Sequence, residues 1–170
     1  MYKKILLATD GSDHINRATS IVIGFYKKWN CEIRIFHSIK HTLEKVDRPT
    51  LRLYLPYSDS GYMYLSSSPP VYTGDLDPNT RLHDSEVEEI GRNILEEKKA
   101  IFDELQVPVK TKLIIKEEPE EYIIRIVKKK KFDLVVVGCK GIHSKLSQIF
   151  IGSVAQHVVA NAPCDVLVVR

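Results

Sequence analysis

Long apolar runs are missing from this 170-residue chain. Its basic opening, Met1-Tyr2-Lys3-Lys4, is followed by only Ile5-Leu6-Leu7-Ala8 before Thr9-Asp10. That is too short for the core of a signal peptide and far too short to cross a bilayer, so the expectation is a soluble, cytoplasmic protein with no membrane partner. Cysteine is scarce: Cys31, Cys139 and Cys164 show no paired spacing and no companion histidines at zinc-site intervals, and they suit a reducing compartment. An excess of one charge is lacking too. Lys and Arg total 25 against 22 Asp and Glu, interspersed, for a formal net charge of +3, which makes nucleic acid an unlikely main partner. Two phosphate-binding signatures are absent. There is no Gly-x4-Gly-Lys-Ser/Thr, which excludes a P-loop NTPase, and no Gly-x-Gly-x-x-Gly after the first strand, which argues against a dinucleotide-binding dehydrogenase.

What is present is an alternation of strands and helices. Ile5 to Ala8 reads as a short buried strand ending at Thr9-Asp10-Gly11-Ser12, with a helix starting near Asp13. Ala18, Ile21, Val22 and Phe25 fall at helical spacing, and Cys31 to Phe36 reads as a second strand whose end is His37-Ser38. From Glu44 to Asn79 the pattern collapses into prolines, serines and the tyrosines Tyr54, Tyr57, Tyr62, Tyr64 and Tyr72. Loops this long inside a compact domain tend to be functional or disordered, and the tyrosines favour one that packs on something. Val87, Ile90, Ile94, Ala100, Ile101 and Leu105 then mark a long helix, and Val109, Thr111, Leu113 and Ile115 an alternating third strand. Pro119 opens a further helix, with Glu117, Glu118, Glu120 and Glu121 at its start and Lys128 to Lys131 at its end, matching the dipole at both ends. Phe132 to Val137, Gly152 to Asn161 and Val166 to Val169 supply a strand, a short helix and a last strand. The chain is therefore expected to be one domain over 1–170, an α/β protein with an open parallel five-stranded sheet, helices on both faces and an insertion at about 44–80. Ligands bind such sheets at the strand carboxyl ends.

Both candidate binding loops lie at that end. The apolar run Leu134-Val135-Val136-Val137 closes on Gly138-Cys139-Lys140-Gly141, and Gly152-Ser153-Val154-Ala155 opens the next helix. A strand ending in glycine lets a ligand approach backbone without meeting a Cβ. The first N–H groups of a helix are unpaired and its dipole favours negative charge. Together they read as an anion cradle, with Asp10 facing it if the first and fourth strands are neighbours.

These residues resemble the universal stress protein family over nearly the whole chain. The matching pieces are Lys3-Lys4-Ile5-Leu6-Leu7-Ala8-Thr9-Asp10-Gly11-Ser12, Phe132-Asp133-Leu134-Val135-Val136-Val137-Gly138, Gly152-Ser153-Val154-Ala155, and Ala162-Pro163-Cys164-Asp165-Val166-Leu167-Val168-Val169. The resemblance implies strand order 3-2-1-4-5 in an adenine nucleotide alpha hydrolase-like fold. It also implies a homodimer in which the C-terminal strand, 166–169, pairs antiparallel with its copy. The family's nucleotide-binding branch carries Gly-x2-Gly-x9-Gly-Ser/Thr; here the spacing is Gly138-x2-Gly141-x10-Gly152-Ser153, one residue longer. A loop absorbs one residue cheaply, and both end glycines are intact, so the chain resembles the ATP-binding branch.

The implied ligand is an adenine nucleotide, ATP first with AMP or ADP as alternatives; Mg²⁺ is left open. Its contacts would come from Ala8, Thr9, Asp10, Ser38, Val137, Gly138, Lys140, Gly141, Gly152, Ser153 and Val154. Asp10 can accept hydrogen bonds from ribose hydroxyls, or merely form the turn. Thr9 would lie near the adenine, and His37-Ser38 would approach the base through backbone groups or simply end a strand. Lys140 and Lys145 either screen phosphate charge or are only solvated. No general base is evident to activate water, so binding with slow or no hydrolysis is expected, in a stress-response regulator or sensor. The alternatives are a dimeric interaction protein independent of nucleotide and a weak ATPase.

Overall fold

The computed structural model describes residues 1–11, 14–40, 84–139 and 151–170. The elements are β1 (Lys4–Ala8), α1 (His14–Trp29), β2 (Glu32–Ser38), α2 (Asp84–Glu104), β3 (Val109–Ile114), α3 (Pro119–Lys130), β4 (Leu134–Gly138), α4 (Ser153–Asn161) and β5 (Asp165–Val169). The strands form one parallel sheet in the order β3-β2-β1-β4-β5, as the resemblance implied. The expected insertion at 44–80 lies outside the described residues.

Central β1 and β4 are apolar at almost every position because both of their faces are covered. On one face Ile5, Leu7, Ile33, Ile35, Leu134 and Val136 pack with Ala18 and Val22 of α1 and Leu95 and Phe102 of α2. On the other, Leu6, Phe36, Val135 and Val137 pack with Tyr122, Ile123 and Ile126 of α3 and with Ala155 and Val158 of α4. Thr19, buried in α1, returns its hydroxyl proton to the Ile15 carbonyl at 2.9 Å, so its burial leaves no orphan donor.

Register is set by Asp133. One of its carboxylate oxygens accepts the backbone N–H groups of Lys3 and Lys4 at 2.7 and 2.8 Å, tying the start of β1 to the start of β4. Three of the four helices that run into a strand share a stop signal. Asn30, Gln106 and Lys131 are, among the described residues, the non-glycine ones with positive φ (51, 55 and 56°), and each directly follows or lies just beyond the last turn of α1, α2 or α3. The left-handed residue turns the chain back toward the sheet.

Two sequence expectations need correction. The buried face of α2 runs through Val87, Gly91, Ile94, Leu95, Lys98 and Phe102, while Ala100 and Leu105 are exposed. Leu105 lies past the helix end. Lys98 takes a core-facing position because its ammonium donates to Asn16 Oδ1 at 2.7 Å while its stem packs. In β3 the alternation fails as a burial signal: Thr111 is exposed and Ile114 is buried on the opposite face. An edge strand is covered only where a helix reaches it.

Candidate functional site

β1 lies between β2 and β4, and the chain leaves it toward β2 through α1, whereas β4 leads away to β5. The sheet's topological switch point is therefore between β1 and β4. Their pairing runs Ile5↔Leu134, Leu6↔Val135, Leu7↔Val136 and stops. Beyond it each strand continues with its outer neighbour: Ala8 with Phe36, Val137 with Val168, Gly138 with Val169. Thr9 N donates to Phe36 O at 2.9 Å and Cys139 N to Val169 O at 2.7 Å. Thus Ala8-Thr9-Asp10 and Val137-Gly138 diverge from a common point and form the two walls of a crevice.

The floor of one wall is a helix end. Gly152 N donates to Cys139 O at 2.8 Å, which seats the N-terminus of α4 on the first residue after β4. Gly152 is the N-cap, with φ −62° and ψ 154°, and no side chain caps the helix. Gln156 N closes the first turn on Gly152 O at 2.9 Å, leaving the N–H groups of Ser153, Val154 and Ala155 without an intrahelical partner. No carboxylate stands in that turn. The dipole makes this end of α4 electropositive.

The other wall is built more tightly. Thr9, 6% exposed, uses its N–H toward Phe36, its carbonyl toward His37 Nδ1 at 2.7 Å, and its hydroxyl to receive Gly11 N at 3.3 Å. Gly11 sits at φ +82°, a backbone region that a side chain would strain. A Cβ there would also press on Ile94 of α2 at 3.2 to 3.4 Å. Ser38 spends its hydroxyl on the Glu117 carbonyl at 2.9 Å. Glu117 in turn is gripped by Arg125, Nε to Oε1 at 2.7 Å and Nη2 to Oε2 at 2.6 Å. That pairing holds the Glu117 carboxyl below its ordinary range.

Of the residues expected to bind, the structure thus brings Ala8, Thr9, Asp10, Val137 and Gly138 to the two walls and Gly152, Ser153 and Val154 to the helix end. Ser38 ends β2, one strand away. Lys140 and Gly141 lie outside the described residues, as do Ser12, Asp13, Ser144 and Lys145. Among the described residues no group of three or more His, Cys, Asp or Glu could hold a metal ion, and no helix is long and apolar enough to cross a membrane.

Sequence reasoning assigned His37 a backbone role only. Its side chain is 2% exposed. A carbonyl oxygen only accepts, so the Nδ1 facing Thr9 O must carry the proton. Nε2 is buried and finds no hydrogen-bond partner among the described residues. The available signal was position: His37 shares a face with Ile33 and Ile35 in a strand buried on that side. Burial pushes its pKa below the ordinary 6.5, against the pull of the Thr9 carbonyl and of Asp10. The native state then holds fewer protons than the unfolded chain once pH drops under about 6.5. Stability contributed by neutral His37 is complete above that value and is lost as pH falls toward the lower native pKa. Urea unfolding from pH 7.5 to 5 should therefore show wild-type stability declining with a slope of up to about 1.4 kcal/mol per pH unit from this group, and a shallower decline in His37→Asn. Parallel slopes would contradict the assignment.

Comparison with known proteins agrees with the architecture. The model of the universal stress protein family matches residues 64–170. A universal stress protein of Thermus aquaticus is 31% identical over the full length of both chains. Protein MJ0577 of Methanocaldococcus jannaschii superposes with a TM-score of 0.69 at 24% identity, covering 99% of this chain and 96% of that one. The Archaeoglobus fulgidus universal stress protein solved in complex with dAMP gives a TM-score of 0.62 at 15% identity, covering 99% of this chain and 98% of that one. With its strand order, its divided crevice and this match over more than half its length, the chain belongs to the universal stress protein family.

Proposed function

We propose that this protein binds an adenine nucleotide, ATP in the first instance, and acts as a nucleotide-dependent regulator or sensor in the stress response. The observation that carries the reading is the parting of β1 and β4 beyond Leu7↔Val136 with the N-terminal end of α4 seated on Cys139. One wall offers a carboxylate, Asp10, for ribose hydroxyls. The other offers Val137 and Gly138 backbone beside three helix N–H groups for phosphate, from Ser153, Val154 and Ala155. Lys140 and Gly141 would complete the phosphate side and Ala8, Thr9 and Ser38 the base side. The dAMP complex of the Archaeoglobus relative supports an adenine nucleotide as the class of ligand. The reading is of binding, with hydrolysis slow at most, and Mg²⁺ is left open. Denaturing freshly purified protein should release an adenine nucleotide, or titration of the emptied protein with ATP and AMP should give saturable heat. Neither nucleotide nor heat would leave the interaction-protein reading in its place.

A second observation favours assembly. The sheet has two edges of different character. β3 carries Lys110 and Lys112, with Thr111 between them exposed, and charged edges resist pairing. After Asp165, β5 is Val166-Leu167-Val168-Val169 without a charge. We propose a homodimer through β5, one domain per protomer, in the cytoplasm, where the free Cys31, Cys139 and Cys164 stay reduced. Light scattering at micromolar concentration should give twice the mass of one chain, and Val168→Lys should give one.

A further inference from the structure

His37 occupies a core position at a cost. Its Nε2 is an acceptor shut away from water with no partner among the described residues, and its edge atom Cδ2 lies near α2, 3.5 Å from where a Cβ on Gly91 would stand. An aliphatic side chain there would leave no orphan acceptor. What the imidazole adds is one donor, Nδ1–H, spent on Thr9 O at 2.7 Å. That carbonyl belongs to the planar peptide joining Thr9 to Asp10. The next peptide, joining Asp10 to Gly11, is held by its own N–H on the Thr9 hydroxyl at 3.3 Å. Both peptide planes flanking Asp10 are therefore pinned, one by His37 and one by Thr9. The turn then leaves through Gly11 at φ +82°.

We infer that His37 is a positioning residue of the candidate site, its Nδ1–H fixing the peptide that carries Asp10 so that the carboxylate is presented to a ligand's hydroxyls without reorganisation. The inference rests on the nucleotide reading for its consequence but not for its geometry. Preorganised acceptors bind more tightly because the ordering is already done. A ring that only filled space would act on stability alone.

The test uses the full chain and AMP as probe. His37→Leu removes the donor and the orphan acceptor together; His37→Asn keeps an N–H where Nδ1 stands. Calorimetry should show AMP affinity reduced about tenfold in His37→Leu and within about twofold of wild type in His37→Asn. Urea unfolding should leave His37→Leu no less stable than His37→Asn. Backbone NMR should show the Asp10 and Gly11 amide signals displaced by leucine and restored by asparagine. Wild-type affinity in His37→Leu, or equal losses of affinity in both variants, overturns the inference. If the wild-type chain binds neither AMP nor ATP, the nucleotide reading fails by itself, and the Asp10 and Gly11 signals decide the positioning: undisplaced by leucine, they overturn it. Should His37→Leu not fold, imidazole nitrogen NMR of the wild-type protein decides, since a ring protonated at Nε2 cannot donate to Thr9.

Discussion

Gly152→Val is expected to lower ATP and AMP affinity by at least tenfold while the protein remains folded. Gly152 has φ −62° and ψ 154°, a conformation any residue adopts without strain. Valine there costs the backbone nothing, and the bond from Gly152 N to Cys139 O survives because it involves only main chain. What valine changes is the space before the first turn of α4, where two methyl groups would stand in front of the N–H groups of Ser153 and Val154. A hydrogen bond to a charged group is worth roughly 1.5–3 kcal/mol, so losing one corresponds to roughly ten- to hundredfold in affinity. Calorimetry on the variant, with far-UV circular dichroism as the control for folding, measures both halves. Undiminished affinity in a folded variant removes the phosphate role of the helix end.

The second large effect is on stability. A Cβ at Gly91 would lie 2.7 Å from Ile39 Cγ2 and 2.7 Å from Leu113 Cδ1. Leu113 can swing a terminal methyl aside. Ile39, fully buried just after β2, cannot move its branch methyl without shifting backbone that is bonded to Ile114 O at 2.9 Å. Overpacking of this kind costs about 1–3 kcal/mol, which the better helix propensity of a residue other than glycine offsets by well under 1 kcal/mol when that residue is β-branched. Gly91→Val should therefore destabilise the protein by about 2 kcal/mol in urea unfolding. Because α2 packs over His37 and Ile39, the variant should also lift the helix from the carboxyl ends of β2 and β3. A variant as stable as wild type would mean that α2 sits further from the sheet than described.

Much of the architecture was legible because parallel strands buried on both faces write themselves as unbroken apolar runs. Ile5 to Ala8 and Leu134 to Val137 could hardly be anything else once glycine and aspartate closed them. Pro119 and the acidic residues around it announced α3 in the same direct way. The failures fall where burial depends on partners distant in sequence. Nothing in the local pattern of α2 separates Phe102, fully buried, from Leu105, exposed; the end of the helix decides it, and Gln106 at φ 55° makes that end. The edge position of β3 is likewise a property of the sheet, not of the strand.

At the site, backbone features were easier to foresee than side chains. Gly138 and Gly152 were the glycines expected at the site, and the structure places both at one end of β4. The tie between His37 and Thr9 was not foreseeable in the same way. It spans 28 positions and exists because β1 and β2 are neighbours in register, Ala8 beside Phe36. A histidine at the end of an apolar strand is informative only when its neighbour is known.

The unequal edges of the sheet have a consequence for growth. A surface with two adhesive margins can add copies at both and lengthen without limit; a surface with one can be joined once, after which nothing adhesive is left. With Lys110 and Lys112 guarding β3 and the β5 edge free of charge beyond Asp165, strand-to-strand association through β5 would be self-terminating. Replacing those two lysines by residues that favour strands would remove that stop at the β3 edge.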